Sequence, residues 1–348
     1  MATTQNRQIE GQGGGIRSHS IFEEIISVNN LFLAWDEFGR GKRSKADVQQ
    51  FEYNLEPNIF KLHQELKSKI YRHSPYYSFY VKDPKIRHIH KACVKDRVLH
   101  HAIFRILYPL FDKFFIFDSY SCRNEKGTHK AVKRLNVFLQ KVSKNNTRQA
   151  HALKCDVKKF FDSIDQDILL GLVKSKIKDS NVMWLLEAIV RSFEKGLPLG
   201  NVVSQLFSNI YLNELDQFVK HVLKVKYYIR YCDDFVIVEE NREKFEYYVK
   251  EIDCFLKSKL KLTLHPNKIV VRKYHQGIDF LGYVSFPNHK IVRVKTKDRM
   301  LKNILAKIVL LKNKEISEGV FNKTLQSYLG VLTHCNSYEL REEILKLL

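Results

Sequence analysis

Two adjacent aspartates, Asp233 and Asp234, stand between two short apolar segments, 227–230 and 235–238. Both segments are rich in β-branched and aromatic residues, and the polar break between them is short. The stretch therefore predicts a β-hairpin with the aspartate pair in its turn. Adjacent carboxylates repel each other, so a pair held between apolar strands indicates a bound cation. A solvated polar turn is the alternative, and a third carboxylate at the same point would decide between the two.

The charge balance of the chain narrows the choice of partner. Lys and Arg number 59 against 38 acidic residues in 348, which gives a formal net charge of +21. An excess of this size predicts a polyanionic partner such as nucleic acid. We see neither an apolar run of the ~18 residues that a transmembrane helix needs nor a secretory leader. We therefore expect a cytoplasmic protein that makes no membrane contact.

The six cysteines do not suggest a disulfide framework. They are scattered and form no CxxC pair, which favours reduced structural thiols. Four histidines and Cys93 lie close together between residues 88 and 101. Their spacing matches no standard zinc pattern and basic residues are interspersed, so a metal site there is the weaker alternative.

From residue 150 onward the predicted elements follow a regular order. A short strand over 152–157 contains Asp156, and helices separated by a turn follow it up to the hairpin. A helix over 241–260 and a strand around 268–271 complete a β-α-β-β-α-β sequence, the split βαβ arrangement. In that arrangement the first and third strands are antiparallel neighbours. The topology therefore predicts that Asp156 meets the aspartate pair at one edge of a sheet.

A second strand pair is predicted over 77–92, around a turn at Asp83 and Pro84. Alternation along a strand places Lys85 and Arg87 on one face, so two cations would lie together. An ordinary solvated strand face is the alternative.

Three converging carboxylates in so basic a protein need divalent cations to neutralise them. Mg²⁺ is held by hard oxygen ligands and completes its shell with phosphate oxygens, and Mn²⁺ is a substitute for it. Two such ions can stabilise the attacking and the leaving oxygens of an in-line phosphoryl displacement. The expected chemistry is nucleotidyl transfer from a dNTP to a primer 3′-hydroxyl. Lys85 and Arg87 would neutralise the β- and γ-phosphates.

With these motifs in order, the chain from about residue 80 to its end resembles bacterial reverse transcriptases. The Tyr-Cys-Asp-Asp sequence at 231–234 corresponds to that family's Tyr-x-Asp-Asp box, and 156–162 resembles the motif that supplies the remaining metal-binding aspartate. The resemblance implies an RNA-directed DNA polymerase with an RNA template and a primer or cDNA as partners. The implied metal-binding residues are Asp156, Val157, Asp233 and Asp234. The three aspartates among them are also the implied catalytic residues.

Further motifs extend the resemblance. The loop 196–200, followed by Ser204 and Gln205, matches the family's loop under the templating base. Phe161 falls where the family keeps an aromatic gate against the ribose 2′-hydroxyl, with core packing as the alternative. Lys268 would protonate leaving pyrophosphate, or else is an ordinary solvated lysine. The implied dNTP-binding residues are Lys85, Arg87, Arg123, Phe161, Leu199, Gly200 and Gln205. The implied primer grip is Phe280, Leu281, Gly282 and Tyr283.

Two departures from the family pattern indicate a subfamily. Many reverse transcriptases carry Gln where this chain has Leu199, and Ser-Pro where it has Ser204-Gln205. The pattern is more similar to the enzymes of diversity-generating retroelements, in the group II intron-like superfamily, which copy RNA with adenine-directed errors. With Leu199 in place of Gln, the site loses an amide that bonds the incoming nucleotide, and this would weaken discrimination against mismatched nucleotides. This resemblance implies a structured non-coding RNA and a small basic accessory protein as partners.

Two rival hypotheses remain open. One is a phage-defence reverse transcriptase that copies a dedicated non-coding RNA. The other is a catalytically silent RNA-binding scaffold, although a pure binder gains nothing from three carboxylates facing a polyanion.

The resemblance also implies the fold class and the domain boundaries. We expect an α+β protein with the right-hand polymerase fold: fingers, a palm with a split βαβ, ferredoxin-like core, and a short helical thumb. The expected ranges are a flexible tail at 1–20, mainly fingers at 21–150, palm at 151–290 with finger-contributed helices at about 165–195, and thumb at 291–348.

Overall fold

The computed structural model describes residues 20–82 and 85–347. The predicted tail, apart from Ser20, and the predicted turn at Asp83 and Pro84 lie outside the described residues. The helices are α1 Ile21–Ile26, α2 Val28–Gly39, α3 Ala46–Tyr53, α4 Leu55–Lys67, α5 Val94–Asp112, α6 Thr128–Val142, α7 Phe160–Ser163, α8 Gln166–Lys176, α9 Ser180–Val190, α10 Val202–Gln217, α11 Lys244–Leu260, α12 Val294–Lys312, α13 Glu318–Leu332 and α14 Tyr338–Leu345. The strands are β1 Tyr77–Val81, β2 Arg87–Lys91, β3 His151–Asp156, β4 Tyr228–Tyr231, β5 Asp234–Glu239, β6 Val270–Lys273, β7 Ile278–Phe280, β8 Tyr283–Ser285 and β9 Lys290–Val292. None of the helices in these two ranges is long and apolar enough to cross a membrane.

A four-stranded sheet in the order β4-β5-β3-β6 forms the centre of the molecule. β3 lies antiparallel to both β5 and β6, and β4 lies antiparallel to β5. This is the predicted split βαβ order, in which the first and third strands of the unit are neighbours. The predicted hairpin is also present, because Tyr231 and Asp234 are register partners that close the β4–β5 turn.

Both faces of this sheet are covered by apolar side chains. Leu153 and Phe235 point into a core shared with every helix from α1 to α11 except α6. Ala152 and Val236, one position along, point into a second core formed with α6, β7–β9 and α12–α14. Because both faces are covered over β3, β4 and β5, these strands are mostly apolar runs rather than alternating ones, whereas the edge strand β6 is partly exposed. The few polar residues in these strands therefore have specific reasons to be there.

Two smaller sheets flank the central one. β1 and β2 pair only with each other, and both strands are largely exposed. β7, β8 and β9 form a three-stranded meander. Its first turn consists of Leu281 and Gly282, which both have positive φ angles of 51° and 88°. A two-residue turn of this kind matches the right-handed twist of its strands.

Candidate active site

The three predicted aspartates meet at one end of the central sheet. Asp156 is the last residue of β3, and its register partner is Asp234, the first residue of β5. The main chain of Asp233 lies alongside, since the N–H of Val157 donates to the Asp233 carbonyl oxygen at 3.2 Å. The predicted juxtaposition of residues far apart in the sequence is therefore confirmed.

Two lysines neutralise part of this negative charge. Lys268 Nζ lies 2.6 Å from Asp156 Oδ1, and Lys154 Nζ lies 3.2 Å from Asp234 Oδ2. Lys268 is therefore an ion-pair partner rather than the ordinary solvated lysine that was the alternative expectation. Lys154 was missed in the sequence. The sequence could have indicated Lys154, because it lies two residues before Asp156 in a predicted strand, and residues two apart in a strand point to the same face.

The acidity of the aspartates reflects their burial and mutual repulsion. Burial raises the pKa of Asp234 to about 6, an effect that the nearby Lys154 opposes and Asp156 and Asp233 reinforce. Burial also raises the pKa of Asp233, and the charge of Asp156 raises it further. Closely spaced carboxylates with raised pKa values favour any positive charge that can join them.

The oxygen donors at this edge suit a hard divalent cation. Asp234 Oδ1 is buried and has no hydrogen-bond partner. Carboxylate oxygens are the ligands that Mg²⁺ and Mn²⁺ prefer. Among residues 20–82 and 85–347, however, no group of three or more His, Cys, Asp or Glu side chains is already gathered around a metal position. The three carboxylates therefore have the chemistry for a cation. In this structure Lys154 occupies one oxygen of Asp234, and Lys268 occupies one oxygen of Asp156.

Val157, the fourth implied metal-binding residue, can reach the site only through its main chain. Its side chain is 1% exposed in the first core. Only its main chain can contribute to the site, and the N–H of that main chain already supports Asp233. Metal binding by Val157 stays a prediction.

A buried ion pair supports the aspartate hairpin from below. Arg230 Nε lies 2.7 Å from Asp216 Oδ1 and Arg230 Nη2 lies 2.6 Å from Oδ2, with both side chains fully buried. Arg230 Nη1 also donates to the carbonyl oxygen of Cys232, in the turn itself, at 3.0 Å. Cys232 has a φ angle of 55°, so this contact holds a turn residue in the left-handed region. The sequence feature that could have indicated this pair is Arg230 itself, a charged residue inside the otherwise apolar strand β4.

Two of the three carboxylates, those of Asp156 and Asp234, line a cleft of about 1190 Å³, and Asp233 is not in its lining. Lys85 and Arg87, the predicted triphosphate ligands, line this cleft together with Asp156 and Asp234. The residues that line the cleft from the primer-grip motif are Leu281, Gly282 and Tyr283. Positive charge, two carboxylates and the β7–β8 turn thus share one cavity.

The other predicted nucleotide-binding residues are not in the lining of this cleft. Phe161 packs against Phe160 with ring centroids 5.3 Å apart and is partly buried against the first core. The Leu199 carbonyl oxygen accepts from the N–H of His90 at 3.1 Å, which fixes the loop against β2. Gly200 has a φ angle of +107°, and Gln205 lies exposed in the first turn of α10. The nucleotide roles of these four residues remain predictions.

Arg123 and Phe280 depart from their predicted places. Arg123 Nε lies 2.7 Å from Asp112 Oδ1, and Arg123 Nη1 donates to two main-chain carbonyl oxygens, so Nε and Nη1 hold the chain together locally. Arg123 is absent from the cleft lining, and nothing there supports a triphosphate contact by this residue. Phe280 is 1% exposed in the second core. It anchors the β7–β8 turn from behind rather than facing the cleft.

Comparison with known families identifies the class of protein. The family model described as "Reverse transcriptase (RNA-dependent DNA polymerase)" matches residues 81–285, more than half of the chain. The chain therefore belongs to the reverse transcriptase family, and the predicted enzyme class, RNA-directed DNA polymerase, is confirmed.

Individual relatives refine this placement. Protein YkfC of Escherichia coli is 27% identical over 68% of this chain and 71% of its own length. The group II intron-encoded protein LtrA of Lactococcus lactis is 24% identical over 78% of this chain and 57% of its own length. Proteins encoded by group II introns are thus among its relatives, and the chain spans little more than half of LtrA. The telomerase structure from Candida albicans matches with a TM-score of 0.47 and 12% identity, over 69% of this chain and 51% of that one.

Proposed function

We propose that the chain adds dNTPs to a primer 3′-hydroxyl on an RNA template at the edge formed by Asp156, Asp233 and Asp234. The observation that carries this proposal is the register pairing of Asp156 with Asp234 in a cleft that also contains Lys85 and Arg87. Carboxylates alone would repel a nucleic acid, and cations alone would only bind it. Their combination in one cavity fits phosphoryl transfer.

Each group has a separate task in this proposal. The three aspartates would hold two Mg²⁺ ions, or Mn²⁺ in their place. When bound, such ions stabilise the charge on the attacking and leaving oxygens. Lys85 and Arg87 are exposed at the cleft wall, where they would bind the triphosphate and align its α-phosphate. Lys268, which lines the cleft beside Asp156, would donate a proton to the leaving pyrophosphate.

The proposed domain assignment follows the same geometry. The central sheet with α7, α10 and α11 would be the palm within 151–290, with α8 and α9 contributed to the fingers. Residues up to 150 would form most of the fingers, and α12–α14 within 291–348 would form the thumb. The location of the cleft between the sheet, the β7–β8 turn and α12–α13 supports this division.

We further propose that the enzyme makes error-prone cDNA in a diversity-generating retroelement, with a structured RNA and a small basic accessory protein as partners. The support is Leu199 together with Ser204-Gln205, where other reverse transcriptases carry an amide and a proline. Sequencing the cDNA made in cells tests this. Substitutions scattered at template adenines support the retroelement, whereas repetitive or template-locked DNA supports the phage-defence alternative.

The site assignment is tested by replacing single aspartates. Asp156→Asn or Asp233→Asn removes a negative ligand at nearly constant volume, so we expect primer extension to fall at least about a thousandfold. RNA binding should stay within about threefold of wild type, because the basic surface is untouched. Asp167→Asn, at an exposed position of α8, is the matched control and should extend primers normally. Extension at the wild-type rate by either site variant would refute the assignment and favour the silent scaffold.

A further inference from the structure

An unbroken row of aromatic rings runs from the exposed β1–β2 hairpin toward the protein interior. The rings of Tyr80 and His88 are stacked with centroids 4.4 Å apart and an interplanar angle of 7°. His88 is 4.2 Å from His90, and His90 is 4.7 Å from Phe193. Tyr80, at the outer end, remains 63% exposed. We call these four residues the ring ladder.

The ring ladder and the cleft use opposite faces of the same hairpin. Tyr80 and His88 are register partners across β1 and β2, so their side chains share one face. Arg87 precedes His88 in the strand and therefore points to the other face, where it lines the cleft. A polyanion held by the cationic face would thus have an aromatic surface within reach at the edge of the hairpin.

The inner end of the ring ladder is fixed to the loop proposed to lie under the templating base. His90 N–H donates to the Leu199 carbonyl oxygen at 3.1 Å, and Asn201 Nδ2 donates to the His90 carbonyl oxygen at 3.1 Å. Phe193 lies three residues before this loop begins. Burial, together with the charge of His88, lowers the pKa of His90, which favours the neutral imidazole. The ring ladder is therefore a continuation of the template side of the site.

We propose that the exposed end of the ring ladder stacks the bases of single-stranded template RNA that have not yet been copied, just 5′ of the templating base. Unpaired bases stack on aromatic and histidine rings irrespective of sequence, because every base has a π-face. The four rings are already ordered against one another, so little side-chain freedom is lost when a base joins them. The net charge of +21 supplies the complementary attraction for the phosphates. This inference rests on the proposed function, since it needs a template in the cleft.

The test compares two primer–template duplexes. One ends at the templating base, and the other carries an eight-nucleotide RNA overhang with 2-aminopurine at its first or second position. Wild-type protein should quench the 2-aminopurine and bind the overhang duplex more tightly than the short one. Tyr80→Ala and His88→Ala should each weaken overhang binding about 5- to 100-fold, the range expected for one lost base stack, and should relieve the quenching. Both variants should bind the short duplex within twofold of wild type.

Two controls separate stacking from other effects. Tyr80→Phe keeps the ring and should behave as wild type. Tyr77→Ala removes an equally exposed tyrosine whose register position lies on the other face of β1, and should leave overhang binding unchanged. The inference is overturned if Tyr80→Ala and His88→Ala bind the overhang as wild type does, or if Tyr77→Ala weakens it equally. Failure of the proposed function is distinct, because wild-type protein would then extend neither duplex.

Discussion

At the scale of single residues, the most consequential side chain outside the acidic trio is Arg230. It is fully buried with Asp216 and connects α10 to the turn that carries Asp233. Removing one member of such a pair leaves an uncompensated charge in the interior. The position of the turn that carries Asp233 therefore depends on a residue buried in the interior.

Arg230→Met should lower the free energy of unfolding by about 3–5 kcal/mol, because the buried Asp216 carboxylate would lose its cation, although the Tyr228 hydroxyl would still donate a hydrogen bond to it. Urea denaturation monitored by circular dichroism measures this loss. Arg148→Met is the matched control: its pair with Glu240 is exposed on both sides, so its loss should cost less than about 1 kcal/mol. Equal urea midpoints for the two variants would contradict a structural role for the buried pair.

A second residue-scale feature is a buried histidine that its surroundings keep neutral at ordinary pH. Burial, reinforced by His73, lowers the pKa of His100 to about 3, and the charge of Asp96 opposes this only in part. Neither ring nitrogen of His100 has a hydrogen-bond partner. In the unfolded chain its pKa is about 6.5, so between these values the unfolded state binds the extra proton.

The stability that neutral His100 contributes is therefore complete above about pH 6.5 and is lost as the pH falls toward 3. By pH 5 this one group should account for a loss on the order of 2 kcal/mol. His100→Leu should remove that part of the acid sensitivity, seen as a smaller drop in urea midpoint between pH 7.5 and pH 5. His275→Leu, at an exposed position, should keep the wild-type drop. If the urea midpoint of the His100 variant fell as much as that of the wild type, the loss of stability at low pH would come from other titratable groups.

At the scale of elements, the loop before α10 is held by backbone geometry. Gly196 has a φ angle of +67°, and a Cβ added there would lie 2.2 Å from the carbonyl oxygen of Phe161. The Phe161 carbonyl also accepts from the N–H of Leu197 at 2.9 Å. The segment after Asp156 and the proposed templating-base loop are thus packed backbone to backbone, with no room for a side chain.

Gly196→Ala should destabilise the protein by more than about 2 kcal/mol, because a left-handed φ and a backbone clash add together. If the loop supports the templating base, KM for dNTP should rise as well. Gly171→Ala is the control, since this helical glycine has nothing within 4 Å of an added Cβ and should be neutral or stabilising by up to about 1 kcal/mol. Similar urea midpoints for both variants would contradict the packing argument.

At the scale of the whole molecule, the excess of 21 positive charges determines how nucleic acid is attracted. RNA binding should weaken at least about a hundredfold between 50 and 200 mM salt, because phosphate contacts release condensed counterions. Filter binding or fluorescence anisotropy across that range measures the slope. Asp156→Asn should give the same slope, since it leaves the basic residues in place. A flat response would count against a broad basic surface in the cleft.

Much of this architecture was determined by local sequence. Apolar runs broken by the aspartate pair gave the β4–β5 hairpin, and the order of elements was sufficient to predict that β3 lies beside β5. That prediction placed Asp156 beside Asp234, because in antiparallel neighbours the end of one strand lies next to the start of the other. Strand alternation predicted that Lys85 and Arg87 lie together, and both line the cleft. The strand itself begins only at Arg87, so Lys85 precedes β2 rather than lying in it.

Tertiary structure alone decided which charged groups neutralise one another. Lys268 with Asp156, Lys154 with Asp234 and Arg230 with Asp216 join separate elements, and no local periodicity encodes such pairs. The same holds for Arg123, whose guanidinium turned inward to Asp112, and for Phe280, which was drawn into the second core. The sequence by itself determined where strands and turns form, since those depend on neighbouring residues. Long-range packing determined which ion pairs form, because the partner of a charged side chain depends on which segments the folded chain places beside it.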